Sequence, residues 1–156
     1  MQNYIKSQTR LAFIQFIFQS EFLKLENNQN IEDFQNYFYN SDIAIIGSKN
    51  EFKLKFNKNF LNKLCKNYLK KFEKLETINQ LNKFINLERK FEKWNTVLKS
   101  VIFAIISELQ NSEQKNFKII FNDYINISKS LVTSNETKLM NAIIQKYFNE
   151  KEFIKS

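Results

Sequence analysis

The near absence of residues that make tight turns restricts this chain more than any other feature. Its 156 residues include one glycine and no proline. Hairpins and the short loops of α/β proteins usually need one or the other, because their turns require positive or fixed φ angles. The sequence therefore predicts long helices joined by polar loops. The length is typical of a single domain with its own core, so we expect one domain over residues 1–156.

Apolar side chains recur at three- and four-residue steps along most of the chain, which is the spacing of one helix face. Residues 97–109 are apolar on nearly all sides, which predicts a central, buried helix. The expected helices, about seven in all, cover residues 7–25, 31–39, 51–72 with a break between 56 and 60, 77–91, 97–109, 117–131 and a last stretch from 136 onward.

Two connecting segments carry local signals. Residues 40–50 contain Gly47 and several Ser, Asn and Asp residues, so we expect a loop with a short ordered piece. Thr133 and Glu136 have the spacing of a capping box, with Ser134 and Asn135 as competing N-caps. The last helix should therefore begin at this point.

The composition removes most catalytic chemistries. There is no histidine, and so the usual general base and the commonest zinc ligand are missing. A single glycine excludes phosphate-binding and dinucleotide-binding loops. The carboxylates are scattered, and Cys65 stands among leucines at helical spacing, as a packing residue would. We expect no catalytic residue, no metal site and no cofactor, which means that the protein is not an enzyme.

The charge points to a polyanionic partner. The net charge is +8, which favours nucleic acid or an anionic membrane surface, although AT-rich codons also raise the lysine content. The most apolar segment, residues 97–109, contains Lys99 and Ser100 and is shorter than the roughly 20 residues of a membrane span. With one cysteine, the chain has no intrachain disulfide. We expect a cytoplasmic protein with no membrane contact.

Four stretches resemble one known family. Residues 10–18, RLAFIQFIF, resemble the first helix of NusB proteins, which reads as Arg, a short gap, Ala, two positions, then Gln-x-Leu-Tyr. Ser107-Glu108-Leu109 resembles the Tyr-Glu-Leu that ends the family's buried central helix. Residues 121–131, FNDYINISKSL, resemble its Ile-Asn-Glu…Ala-Lys-x-Phe helix. Residues 136–146, ETKLMNAIIQK, are similar to Ser-x-Lys-Phe-Val-Asn-Gly-Val-Leu-Asp-Lys. The order and spacing of the four stretches agree with the family.

The resemblance implies a fold and a function. NusB-like proteins are all-helical and consist of two small helical bundles packed together. They bind the boxA element of nascent ribosomal RNA transcripts as a heterodimer with NusE, a small-subunit ribosomal protein. The complex helps RNA polymerase to resist termination, so contact with the elongation complex is indirect. An apolar face left exposed in the absence of the partner would support a homodimer.

Candidate contact residues follow from the same resemblance. Single-stranded RNA is bound by cations directed at phosphates, together with exposed aromatic or amide groups. We expect the RNA surface at the basic end of the first helix, with cations from the C-terminal motifs nearby. The predicted RNA contacts are Lys6, Arg10, Lys129 and Lys138. The predicted partner contacts are Asn135, Glu136 and Leu98.

The chain also departs from the family pattern. The arginine-rich N-terminal run is reduced to Lys6 and Arg10, and an acidic residue of the partner-contacting loop is Asn135 here. The Arg common inside the buried helix is Phe103. Ala142 replaces the Gly after the motif Asn, and Leu131-Val132 replaces Phe-Gly. Two other interpretations remain open: an RNA-binding accessory acting in trans with an rRNA methyltransferase, and a helical protein-interaction scaffold without an RNA role.

Overall fold

Helices make up most of the part of the chain that the structure describes. The computed structural model of the protein describes residues 1–22, 31, 33–34, 43–44, 51–52, 55–85 and 90–150. These ranges contain six α-helices: α1 (Asn3–Phe22), α2 (Lys58–Lys71), α3 (Lys74–Asn82), α4 (Thr96–Gln110), α5 (Phe117–Ser128) and α6 (Ser134–Glu150). Short 3-10 turns precede α4 at Phe91–Lys93 and α5 at Gln114–Asn116. The predicted all-α class is confirmed, and the helix predicted over residues 31–39 lies mostly outside the described residues.

One stretch predicted as helix instead forms a short strand. Glu51–Phe52 pairs antiparallel with Ile43–Ala44, which places Phe52 opposite Ile43. Helical spacing of apolar residues through this stretch misled the sequence prediction, because periodicity is a weak guide near the end of an element. The predicted break before α2 is confirmed. The Asn57 side chain caps that helix by accepting a hydrogen bond from the Phe60 amide at 2.8 Å.

Two further helix boundaries differ from the expected ones. α1 begins at Asn3, four residues earlier than expected, so that Lys6 lies within its first turn. The stretch predicted as one helix over 77–91 overlaps the shorter α3, which begins at Lys74 and ends at Asn82. After α3 the Asn82 side chain accepts a hydrogen bond from the Phe91 amide at 2.9 Å, which fixes the chain before its next turn.

The capping box at the start of α6 is confirmed. The Glu136 amide donates to Thr133 Oγ1 at 3.1 Å, and the Thr133 amide donates to Glu136 Oε1 at 2.9 Å. Each side chain thereby satisfies a backbone donor that the first turn of a helix leaves unpaired.

We expect Thr133→Ala to lower the free energy of unfolding by about 1 kcal/mol, because the substitution removes the acceptor for the Glu136 amide. Chemical denaturation of the two proteins measures the difference. Ser134→Ala, one residue further on and equally exposed, is the matched control and should change stability by less than about 0.5 kcal/mol. Equal effects of the two substitutions would show that the box does not stabilise the helix.

α4 is the central helix, as predicted. Every residue from Val101 to Leu109 is buried, and the helix packs against α1, α2, α5 and α6. Because α4 is covered on nearly all sides, Leu98 is only 2 % exposed. The sequence predicted that Leu98 contacts a partner protein, whereas the structure places its side chain in the core.

Phe103 of α4 lies at the centre of an aromatic cluster. Its ring centroid is 5.1 Å from that of Phe72, 5.5 Å from that of Phe91 and 6.3 Å from that of Phe22. Trp94 extends the cluster by packing on Phe91 at 5.5 Å, as a hydrophobic anchor would. The cluster joins α1, α2 and the turn before α4. Phe103 itself stands at the position where the family that the sequence resembles commonly has Arg.

Candidate nucleic-acid interface

A groove of about 690 Å³ lies where α1, the start of α2 and α5 meet. α1 contributes side chains at three- and four-residue steps, which share one helix face. The groove's surface is more apolar than polar, and polar groups, including several exposed amides, lie at its rim. The lining residues that carry hydrogen-bonding or positively charged groups at the rim are Asn3, Lys6, Lys63, Asn116, Asn122 and Asn126.

The floor of the groove is a buried ion pair between α1 and α4. Arg10 Nε donates to Glu108 Oε1 at 2.9 Å, and Nη2 donates to Glu108 Oε2 at 2.8 Å. Both side chains are almost fully buried, with 8 % and 6 % of their surfaces exposed. The bidentate geometry matches the planar guanidinium to the carboxylate, which is the arrangement that compensates best for removing both charges from water.

Two residues of α5 complete this network. Arg10 Nη1 donates to Asp123 Oδ2 at 2.6 Å, and the Ser7 hydroxyl donates to the other oxygen of Asp123. The Tyr124 hydroxyl donates to Glu108 Oε1 at 2.7 Å. Arg10 therefore connects three helices, and its position fixes α5 and its asparagine side chains against α1.

The surroundings of Arg10 and Tyr124 keep both side chains protonated. Burial by itself would lower the pKa of Arg10, but the hydrogen bonds and negative charge of Glu108 raise it above its ordinary value. Burial, and then the Glu108 carboxylate, raise the pKa of Tyr124, so this hydroxyl remains a donor. The guanidinium also lies between two rings, 5.4 Å from the centroid of Phe60 and 5.7 Å from that of Tyr124. These contacts leave Arg10 with little freedom to turn outward.

The predicted RNA contacts occupy different places. Lys6 lines the groove and is half-buried, while Arg10 lies beneath the groove with its donors directed at carboxylates. Lys129 is exposed, and its Nζ donates to Asn126 Oδ1 at 3.3 Å, which places it at the rim. Lys138 is exposed on α6 and does not line the groove.

The predicted partner contacts lie at the start of α6. Asn135 is exposed, and Glu136 is half-buried because it takes part in the capping box. Neither residue lines the groove. The structure therefore separates these two residues from the groove and leaves Leu98 inside the core.

Lys63 and the asparagines of α5 are the groove residues that the sequence did not single out. Lys63 is one of many lysines of α2, and its position opposite α1 depends on how the helices pack. The pairing of Arg10 did have a signal in the sequence. Glu108 ends an apolar helix and Arg10 begins an apolar stretch, and buried charges of this kind require a partner of opposite sign.

Two kinds of feature are absent from the described residues. None of these residues forms a cluster of His, Cys, Asp or Glu that could hold a metal ion. In the same part of the chain, every helix is too short or too polar to cross a lipid bilayer.

Comparison with known proteins gives one clear relationship. No curated protein and no solved structure matches the chain significantly. The family model described as "NusB family" matches residues 7–149, which include α1 from Ser7 onward, the other helices that line the groove and both residues of the buried ion pair. This chain belongs to the NusB family.

Proposed function

We propose that the protein binds a boxA-like single-stranded RNA in the groove between α1, α2 and α5, together with a NusE-type ribosomal protein, in antitermination of ribosomal RNA transcription. The NusB family is a non-enzymatic family with a general role in RNA binding and transcription antitermination. The observation that carries the proposal is the combination of Lys6, Lys63 and four exposed asparagines around one groove.

The groove offers the two kinds of group that single-stranded RNA needs. Lysine ammonium groups attract phosphates and contribute a salt-dependent part of the affinity. Amide side chains can donate to and accept from the base edges, which are accessible in an unpaired strand. Because its donors are held by Glu108 and Asp123, we assign Arg10 to positioning the groove, and Lys63 takes its place beside Lys6 as a phosphate contact.

The remaining predicted contacts stay part of the proposal. Lys129 would extend the cationic rim past Asn126, and Lys138 would contact RNA outside the groove. Asn135 and Glu136 would face the ribosomal protein, which leaves the groove open to RNA. Acting on nascent transcripts would place the protein in the cytoplasm, with RNA polymerase contacted through the complex. Without its partner, the protein would form a homodimer.

The direct test measures binding of a boxA-like RNA at low salt, with and without a NusE-type ribosomal protein. We expect binding that is tighter with the ribosomal protein present and that weakens as salt rises. Negligible affinity for the RNA at low salt with both proteins present would contradict the proposal. Binding of the ribosomal protein without any RNA affinity would instead favour a protein-interaction scaffold.

Replacing both groove lysines tests the site itself. We expect Lys6→Gln with Lys63→Gln to lower the slope of log affinity against log salt by about 1.4, because two phosphate contacts of a single strand are lost. The matched control is Lys93→Gln with Lys146→Gln, which removes two exposed charges away from the groove. An unchanged slope in the groove variant would show that RNA binds elsewhere.

A further inference from the structure

We propose that the RNA path continues out of the groove along α2, on a face defined by Lys63, Lys66, Asn67 and Lys70, which we call the lysine face. This inference rests on the proposed function and names a second part of the binding surface. A smaller cleft of about 50 Å³ adjoins the main groove, and the two share Phe60, Lys63 and Glu108. The depression in the surface therefore extends past Lys63 toward Asn67.

The lysine face is continuous along the helix. Lys63, Asn67 and Lys70 follow at steps of four and three residues, and Lys66 lies between them on the same side. At 1.5 Å per residue, the stretch from Lys63 to Lys70 covers roughly 10 Å of helix axis, enough for more than one nucleotide of a single strand. α2 contains no acidic residue, so its charge is positive throughout.

The lysines of this face are available to a ligand. Lys66 and Lys70 are exposed, and among the described residues neither has a carboxylate or hydrogen-bond partner. Lys74, further along, differs because its Nζ pairs with Glu21 Oε2 at 2.7 Å. The unpaired cations therefore end where the acidic side chain of α1 begins, which gives the path a defined limit.

Neighbouring groups favour a nucleic-acid strand over a simple anion. Leu69 is 58 % exposed between Lys66 and Lys70, and an apolar side chain beside phosphate-binding cations can pack against a base. Asn67 and Asn111 line the smaller cleft and provide amides beside the lysine face. Cations, an apolar side chain and amides thus occur close together at the lysine face, and these are the groups that contact phosphates and bases of a single strand.

The test compares a short and a long RNA. The probes are boxA-like single strands of about 5 nucleotides, enough for the groove alone, and about 12 nucleotides, within the range of single-strand binding sites. We expect Lys66→Gln with Lys70→Gln to leave the short RNA's affinity unchanged. The affinity for the long RNA should fall about 25-fold at 0.1 M salt, and its salt slope should fall by about 1.4.

The control again is Lys93→Gln with Lys146→Gln, which should leave both affinities unchanged. If the wild-type protein binds the long RNA but the lysine-face variant matches the control, the extended path is wrong and the groove proposal stands. If the wild-type protein binds neither RNA, both proposals fail. An equal loss of binding to a polyglutamate of matched charge would show a surface for acidic protein and would overturn the assignment to RNA.

Discussion

Replacing Arg10 with methionine is expected to lower the free energy of unfolding by about 3–5 kcal/mol, the largest effect of any single charge removal among the residues that the structure describes. The substitution leaves Glu108, which is 6 % exposed, as a buried carboxylate without its cation. Removing one partner of a buried ion pair costs this much because the other charge remains out of water and uncompensated. Equilibrium denaturation with urea measures the loss.

Two further variants separate the charge from the packing of the Arg10 side chain. Lys6→Met, on the same helix and with the same change of residue charge, should alter stability by less than about 0.5 kcal/mol. Adding Glu108→Gln to Arg10→Met should recover part of the loss, because the amide still accepts from the Tyr124 hydroxyl and carries no charge. A double variant no more stable than Arg10→Met alone would contradict an electrostatic origin.

The second large effect is expected at Phe103. Phe103→Ala should lower the free energy of unfolding by about 3–5 kcal/mol, since it removes a ring that is 1 % exposed and leaves a cavity among Phe22, Phe72 and Phe91. Phe103→Leu, which fills more of the space, should cost less. The same denaturation experiment measures both variants.

Leu75→Ala is the control for Phe103, because Leu75 is 77 % exposed and its truncation opens no cavity. It should change stability by less than about 0.5 kcal/mol. A Phe103→Ala protein as stable as this control would mean that the aromatic cluster does not hold α1, α2 and α4 together. Phe103→Arg, the residue common in the family, should be strongly destabilising here, because the described members of the cluster are all aromatic and none could neutralise the charge.

The helices could be predicted because each has an apolar stripe or a cap of its own. The sequence of α4 is apolar on nearly all sides, which predicts that the helix is buried. The Thr133–Glu136 capping box predicts the start of α6. The strand at Glu51–Phe52 could not be predicted in the same way. Its pairing with Ile43–Ala44 depends on a contact across the chain, and the local spacing of phenylalanines is that of a helix.

The candidate site was harder to predict from the sequence than the fold. The motif around Arg10 pointed to the part of α1 that lines the groove, but charge alone could not separate a cation that binds phosphate from one that is neutralised in the core. That distinction depends on Glu108 and Asp123, which come from helices distant in sequence. Lys63 stood among many similar lysines, and only the packing of α2 beside α1 directs it to the groove.

The contacts of Arg10 with distant segments also determine when the groove can form during synthesis of the chain. Glu108 and Asp123 follow Arg10 by 98 and 113 residues, so the ribosome has produced most of the chain before either carboxylate exists. Until then, Arg10 has neither of the carboxylate partners that it has in the folded protein. Contacts this remote in sequence form slowly because a long loop must close first. The groove is therefore among the last parts of the molecule to mature, and a chain released early would lack it.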